Sequence, residues 1–173
     1  MSTRLKQILI IVGAAIVALG MVFLGLWQMQ VFVDKGNKTV QDRAAQAPVP
    51  LEDHLGSAGA VGDIYGKKVT FSGEYVPDQQ VLIPAEGGYR VLAAFEVHDG
   101  RILPVVRGVA ADEASITPPP SGQVTETGLF LPGEGDVKDE RNILVDAPDG
   151  QLASVRMPSL AQLWPQQLVP GFV

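Results

Sequence analysis

The sequence predicts a membrane-anchored α+β protein, with one N-terminal transmembrane helix followed by an antiparallel β-rich domain, either a small barrel or a sandwich. Residues 8–27 form one uninterrupted apolar run without a charged side chain. Residues 67–131 show short stretches of alternating apolar and polar side chains between turn signals. Many short strands with few helices are typical of antiparallel sandwiches and small barrels.

The apolar run has the length of a transmembrane helix. About 20 residues rising about 1.5 Å each cross a hydrocarbon core of about 30 Å. The run has no polar face, which a helix in a soluble core would show. It ends in bulky residues, including Trp27, where a cleaved signal needs small ones. We therefore predict a retained anchor over residues 8–27, preceded by a short terminus over 1–7.

Residues 28–50 continue the anchor as a helical extension and linker. Pro48 and Pro50 end the helical pattern, because proline removes a backbone donor and restricts the preceding residue. Gly36-Asn37 is a candidate for an earlier kink. The β-rich domain then occupies residues 51–173 and begins with one more helical turn over 51–55.

Alternation and turn residues divide the domain into elements. Pro77-Asp78 and Glu86-Gly87-Gly88 are turn signals, and Asp99-Gly100 is a tight-hairpin signal between apolar runs. We predict strands over 69–76, 81–83, 89–98, 101–107, 123–131 and 152–157, a loop over 134–142, a short helix over 158–164 and an extended segment over 167–173.

Composition excludes several classes of function. The chain has no cysteine, which excludes disulfides, thiolate catalysis and cysteine-ligated metals. Its net charge of −6 argues against nucleic-acid binding, which needs a basic surface. The acidic residues of the 134–142 loop lack the spacing and turn glycine of a calcium loop, so no metal site is predicted. No serine has a visible histidine and carboxylate partner, so no catalytic residue is predicted.

A few polar residues remain as candidates for binding. His54 and His98 are the only histidines, and imidazole can ligate a metal or a heme iron, but surface histidines are common. Arg107 lies at a predicted strand end, where a guanidinium can clamp a carboxylate of a ligand or partner. The alternative is an arginine that is paired inside its own fold.

Five motifs, taken in order, resemble the Surfeit locus protein 1 family, whose members are membrane proteins that assist assembly of the heme–copper terminal oxidase. Residues 24–28 (Leu-Gly-Leu-Trp-Gln) are similar to the signature that closes the family's first membrane helix. The other matching stretches are 65–75, 88–92, 102–108 and 122–132. The resemblance spans residues 20–173. The sequence departs from the family's pattern at Val31 and Val109, and the family's second transmembrane helix is not among residues 1–173.

The resemblance implies a bacterial, non-enzymatic assembly or association factor of the heme–copper cytochrome c oxidase or of its respiratory supercomplex. A carrier of heme a or of a small ligand is the alternative, and a generic membrane-anchored adhesion or sensor domain is a third. No cofactor is expected under the first interpretation, and heme a is expected under the second. The expected partners are oxidase subunits and the lipid bilayer.

The family motifs also suggest where the partner binds and how the chain is oriented. The predicted partner contacts are Trp27, Gln28, Gly73, Arg107 and Gly108. The membrane helix and its extension, which carry Trp27 and Gln28, are expected to make the main contact with the partner. The resemblance places the protein in the plasma membrane, with its N-terminus cytoplasmic and its main domain extracytoplasmic.

Overall fold

The computed structural model describes residues 3–56, 59–136 and 150–173. The chain divides into two compact units, Met1–Asp42 and Arg43–Val173. The first unit consists of most of one long helix, and the second contains the β-sheet. Each unit is described by itself below.

Helix α1 runs from Thr3 to Ala44 without interruption. The kink predicted at Gly36-Asn37 stays a prediction, and the helix ends shortly before Pro48, as expected. Its apolar side chains are exposed: Leu19 is 71% and Phe23 is 75% accessible. By length and composition α1 is suited to cross a membrane. Membrane anchoring itself stays a prediction.

The described residues of the second unit form five strands, one short α-helix and two 3₁₀ turns. The elements are β1 (Val49–Pro50), a 3₁₀ turn (Glu52–His54), β2 (Lys68–Ala85), β3 (Gly88–Val97), β4 (Ile102–Ala110), a second 3₁₀ turn (Glu113–Ser115), β5 (Val124–Leu129) and α2 (Met157–Leu163). The first 3₁₀ turn confirms the helical turn predicted over 51–55. Helix α2 confirms the one predicted over 158–164.

The strands form a single mixed sheet that does not close. Strands β2, β3 and β4 pair antiparallel in chain order, and β5 pairs antiparallel with β2. Strand β1 pairs parallel with β2, so the sheet is not purely antiparallel. In the described part of the chain β4 and β5 do not pair with each other, so the sheet does not close into the small barrel that was one of the two predicted architectures. We call the gap between these two strands the seam.

Strand β2 is longer than the sequence predicted. The turn at Pro77-Asp78 and the separate strand over 81–83 are wrong, because one strand runs through both. The register with β3 shifts between Tyr75 and Gln80, and Asp78 has a φ of 59°. The extra residues are accommodated as an irregularity that bends the strand, as in a β-bulge. A proline and an aspartate can serve a bulge as well as a turn.

The other predicted elements have mixed outcomes. The hairpin of β3 and β4 turns at Asp99-Gly100 as predicted, with Gly100 at a φ of 79°. Strand β5 confirms the strand predicted over 123–131. The strand predicted over 152–157 is wrong: Gln151 alone bridges to Leu82 before the chain bends into α2. Residues 134–136 are irregular, and the rest of the predicted 134–142 loop lies outside the described residues.

Two apolar clusters cover the two faces of the central strands. On β3, Phe95 belongs to the first cluster and Leu92 to the second, because successive side chains of a strand point to opposite faces. In the first cluster, Phe71 and Tyr75 of β2 meet Phe95 edge to face at 5.0 and 4.9 Å. The second cluster is closed by the C-terminal segment, including Leu160 and Trp164 around α2, Val155 and Phe172.

Residues 167–173 form an extended strap beside the seam, in agreement with the predicted extended segment. Along β4, the Ile102 N–H donates to Gln167 O at 2.8 Å and the Val106 N–H donates to Val173 O at 2.6 Å. On the other side, Leu131 and Phe172 exchange two backbone hydrogen bonds of 2.8 and 2.9 Å. The strap therefore links the edge of β4 to the chain just after β5.

Candidate partner-binding site

The predicted partner contacts fall into two groups, one in each unit of the chain. Trp27 and Gln28 lie on α1, and both are exposed; Trp27 is 57% accessible. An indole suits the lipid–water interface, and an amide can donate and accept hydrogen bonds. Both side chains are thus free to meet lipid or another protein.

Arg107 and Gly108 occupy a bulge in β4. Gly108 lies opposite Val91 while Val106 lies opposite Leu92, so Arg107 is the extra residue on its strand. Gly108 has a φ of 146°, which a residue with a side chain rarely adopts. The bulge therefore explains the Arg-Gly pair by backbone geometry and re-aims the arginine side chain.

The guanidinium of Arg107 is held by the fold itself. Its Nη1 donates to Gln80 Oε1 and to Thr117 O, both at 2.9 Å, and its Nη2 donates to Pro118 O at 3.1 Å. The guanidinium carbon Cζ of Arg107 also lies 5.5 Å from the centre of the Tyr75 ring, a cation–π distance. These contacts tie the bulge of β2 and the loop after β4 together. They support the interpretation that Arg107 is paired within its own fold.

Two further polar residues, Tyr75 and Glu126, continue from the contacts of Arg107 towards the seam. The Tyr75 hydroxyl donates to Glu126 Oε2 at 2.9 Å. Burial, and then the hydrogen bond to Glu126, raise the pKa of Tyr75 well above its usual value. The hydrogen bond from the Tyr75 hydroxyl thus holds the half-buried carboxylate of Glu126 in place.

Gly73 has a packing role. It is buried on β2, where a Cβ atom would lie 1.9 Å from Glu96 O and 2.8 Å from the Phe95 ring. Any side chain would push β3 away from β2. Its role as a partner contact stays a prediction.

A shallow recess adjoins Arg107 and Gly108. It encloses about 100 Å³ and is lined partly by Val91, Val109 and Ile116. Val109 is 68% accessible, more than Leu163 at 52%. This end of β4 thus offers a small apolar surface beside the bulge.

The seam holds a larger cavity, of about 420 Å³, which the sequence did not predict. At one side Arg90 makes two hydrogen bonds to Glu134, at 2.6 and 2.8 Å, and the Val155 N–H donates to the same carboxylate at 2.8 Å. Arg90 lowers the pKa of Glu134 below its usual value. Apolar walls come from Phe71, Val105 and other side chains of both clusters.

One sequence signal could have indicated the seam. Glu126 alternates with Val124 and Gly128 on the inward face of β5, while Thr125 and Thr127 share hydrogen bonds with residues of β2 on the outer face. A glutamate in the apolar phase of a strand needs a polar partner inside the domain. Nothing local in the sequence identifies that partner as Tyr75, 51 residues earlier.

The histidines do not form a site with each other or with the seam. His98 is exposed and lines a polar cavity of about 280 Å³ with Glu74 and Glu96, whereas His54 lies against Gly62. Within residues 3–56, 59–136 and 150–173 no group of three potential ligands could hold a metal ion. The seam cavity, the most apolar of those described, is lined by no histidine. The histidines therefore lie away from the seam cavity in the described part of the chain, and the alternative of a heme a carrier stays a prediction.

Comparison with protein families gives a match over nearly the whole chain. The family model described as the SURF1 family matches residues 15–173, which include most of α1 and the whole second unit. No curated protein matches the chain.

Proposed function

This chain belongs to the SURF1 family, which is linked to cytochrome c oxidase assembly, and we propose that it is a non-enzymatic assembly or association factor of the heme–copper oxidase or of its respiratory supercomplex. The observation that carries the proposal is the family match over residues 15–173. The match includes both the apolar helix and the sheet, so the proposed role belongs to both units. Its partners would be oxidase subunits in the lipid bilayer.

Helix α1 is the better candidate for the main contact. Its apolar side chains are exposed along its length, and a membrane helix with small residues can pack against other membrane helices. Trp27 would set the depth in the membrane, and Gln28 would hydrogen-bond to a neighbouring helix or loop. In the second unit, Arg107 and Arg90 already donate hydrogen bonds to groups of the same domain. Because these arginines are already paired, they are weaker candidates for the main contact than the exposed side chains of α1.

The proposal places the protein in the plasma membrane, with the N-terminus in the cytoplasm and the β-sheet unit outside. The family and the apolar helix support this arrangement. Ser121 is exposed, and the natural chain has no cysteine, so Ser121→Cys carries a single thiol. An impermeant maleimide should label this thiol in intact cells. Labelling only after cell lysis would show the opposite orientation, with the β-sheet unit in the cytoplasm.

Affinity purification tests the association directly. Membranes that contain the tagged full chain are solubilised gently, and the bound proteins are identified by mass spectrometry. We expect oxidase subunits to be enriched over a control bait that has the same tag on an unrelated single-span membrane protein. Intact bait without such enrichment, together with normal oxidase levels in a deletion strain, would refute the proposed function.

A further inference from the structure

We propose that residues 28–42 of α1 pair with the same segment of a second copy of this chain, as a parallel two-stranded coiled coil just outside the lipid. This inference adds a self-association surface to the proposed function. It does not depend on that function, because the pattern of side chains along α1 carries it.

Helix α1 is longer than a membrane requires. Residues 8–27 have the length of the hydrocarbon core, so residues 28–42 would extend roughly 20 Å beyond it. The helix continues through this stretch without interruption. Apolar side chains stay exposed there: Phe32 is 80% and Val40 is 59% accessible. A helix in water normally buries such side chains against another element.

The apolar side chains of the extension recur at heptad spacing. A two-stranded coiled coil has apolar residues at the first and fourth positions, a and d, of each seven. Val33 and Val40 occupy position a, and Met29 and Gly36 occupy position d. Met29 and Val33 are exposed as well. We call these four residues the stripe, and its spacing fits one partner helix along the whole extension.

The charged residues of the extension lie away from the stripe. Positions b, c and f, which face outward in a coiled coil, hold every charged residue between 28 and 42: Asp34, Lys35, Lys38 and Asp42. Positions e and g, which flank the stripe, hold none. Charges at e and g normally set the choice of partner. Without them two identical chains do not repel each other, and no charge pattern selects a different partner.

A second copy meets the stripe in register. Both copies enter the membrane in the same direction, so the pair is parallel and each valine of the stripe faces its counterpart at the same height. Valine at position a favours two strands in parallel coiled coils. Trp27 and Gln28 occupy positions b and c, on the outward side. Self-pairing therefore leaves the predicted oxidase contacts accessible.

Single cysteines test the pairing in membranes, because the natural chain has no cysteine. Val33→Cys places a thiol in the stripe, whereas Val31→Cys, the matched control, places it about 200° around the helix. A disulfide requires Cα atoms within about 7 Å, which only stripe positions reach in the pair. After oxidation with copper phenanthroline, at the natural level of the chain, we expect Val33→Cys to give at least about ten times more covalent dimer than Val31→Cys.

A second pair of positions repeats the comparison one turn or more away. Val40→Cys, in the stripe, should cross-link like Val33→Cys, and Gln41→Cys, at position b, should cross-link like Val31→Cys. Two differently tagged copies in one cell, followed by mass spectrometry, identify the product as a pair of this chain. Equal cross-linking at stripe and outward positions would overturn the proposal. So would a Val33→Cys product with another protein, because that protein would then cover the stripe.

A charge placed in the stripe gives an independent readout. In Val33→Glu two glutamates would face each other across the pair, whereas Val31→Glu carries the same charge on the outward side. We expect Val33→Glu to raise the Kd of the dimer at least about tenfold, and Val31→Glu to leave it unchanged. Sedimentation equilibrium of the full chain in detergent micelles measures the Kd, and circular dichroism checks that both variants fold. A natural chain that is monomeric throughout, or equal effects of the two variants, would contradict the pairing.

Discussion

Helix α1 and the β-sheet unit use apolar side chains in opposite ways. Phe23 of α1 is 75% accessible, whereas Phe95 of β3 is fully buried between β2 and β4. The helix satisfies its backbone hydrogen bonds internally and can therefore offer its apolar surface to lipid or to other helices. In the sheet unit, the buried apolar side chains pack into two internal clusters. Substitutions that change stability should therefore concentrate in the sheet unit, and those that change association should concentrate in the helix.

The largest effect on stability is expected from Gly73→Ala. The added Cβ would meet Glu96 O at 1.9 Å and must separate β2 from β3. Overpacking of this kind costs about 3 kcal/mol, which lowers the Tm of a domain of this size by roughly 10 °C. Thermal unfolding of the full chain in detergent, followed by circular dichroism in the β region, measures the shift.

Gly20→Ala is the matched control in α1. A Cβ at Gly20 has no atom within 4 Å, so the same substitution should leave the Tm of the sheet unit unchanged. Equal shifts for the two variants would contradict the contrast between the helix and the sheet.

A smaller, pH-dependent effect is expected from Glu134→Gln. The variant loses the two charged hydrogen bonds from Arg90, at a cost of about 1–2 kcal/mol, or roughly 5 °C in Tm. Glu86→Gln, at an exposed turn position, is the control and should change the Tm little.

The sign of the pH dependence follows from the lowered pKa of Glu134. Arg90 favours the ionised carboxylate in the folded state, so this stabilisation is fully present above the ordinary pKa of 4.5. It is lost as the pH falls through the lower pKa of the folded state. The Tm difference between the natural chain and Glu134→Gln should therefore be largest near neutral pH and shrink in acid. A difference that grows in acid would be inconsistent with the ion pair.

The smallest effect on stability is expected from Arg107→Lys. Lysine keeps the charge but cannot reproduce three hydrogen bonds from a planar guanidinium, so we expect a loss of about 1 kcal/mol. Lys68→Arg, at an exposed position on β2, is the control. If Arg107→Lys left the Tm unchanged but abolished co-purification of the oxidase, Arg107 would act as a partner contact instead.

The parts of the fold with a local cause could be predicted from the sequence. The unbroken apolar run predicts α1, and Asp99-Gly100 predicts the hairpin of β3 and β4, because a tight turn needs residues that tolerate a positive φ. A proline at the start predicts α2, since proline suits the first turn of a helix.

Features that depend on distant contacts could not be predicted. Pro77-Asp78 fits a turn or a bulge equally well, and only pairing with β3 decides between them. The open seam arises from the order of the strands and from the strap, neither of which has a local signature. For the same reason the sequence suggested Arg107 but could not identify Gln80, Thr117 and Pro118 as its partners.

Exchange of the anchor tests most directly whether α1 carries recognition. Residues 8–42 are replaced by an unrelated membrane-spanning helix of the same length, and the sheet unit, which begins at Arg43, is kept. We predict the same Tm for the sheet unit but at least about a tenfold loss of oxidase subunits in the affinity purification, because the contacts of α1 are gone. Co-purification at the natural yield would contradict the account and make α1 a passive tether, with recognition carried by the sheet unit.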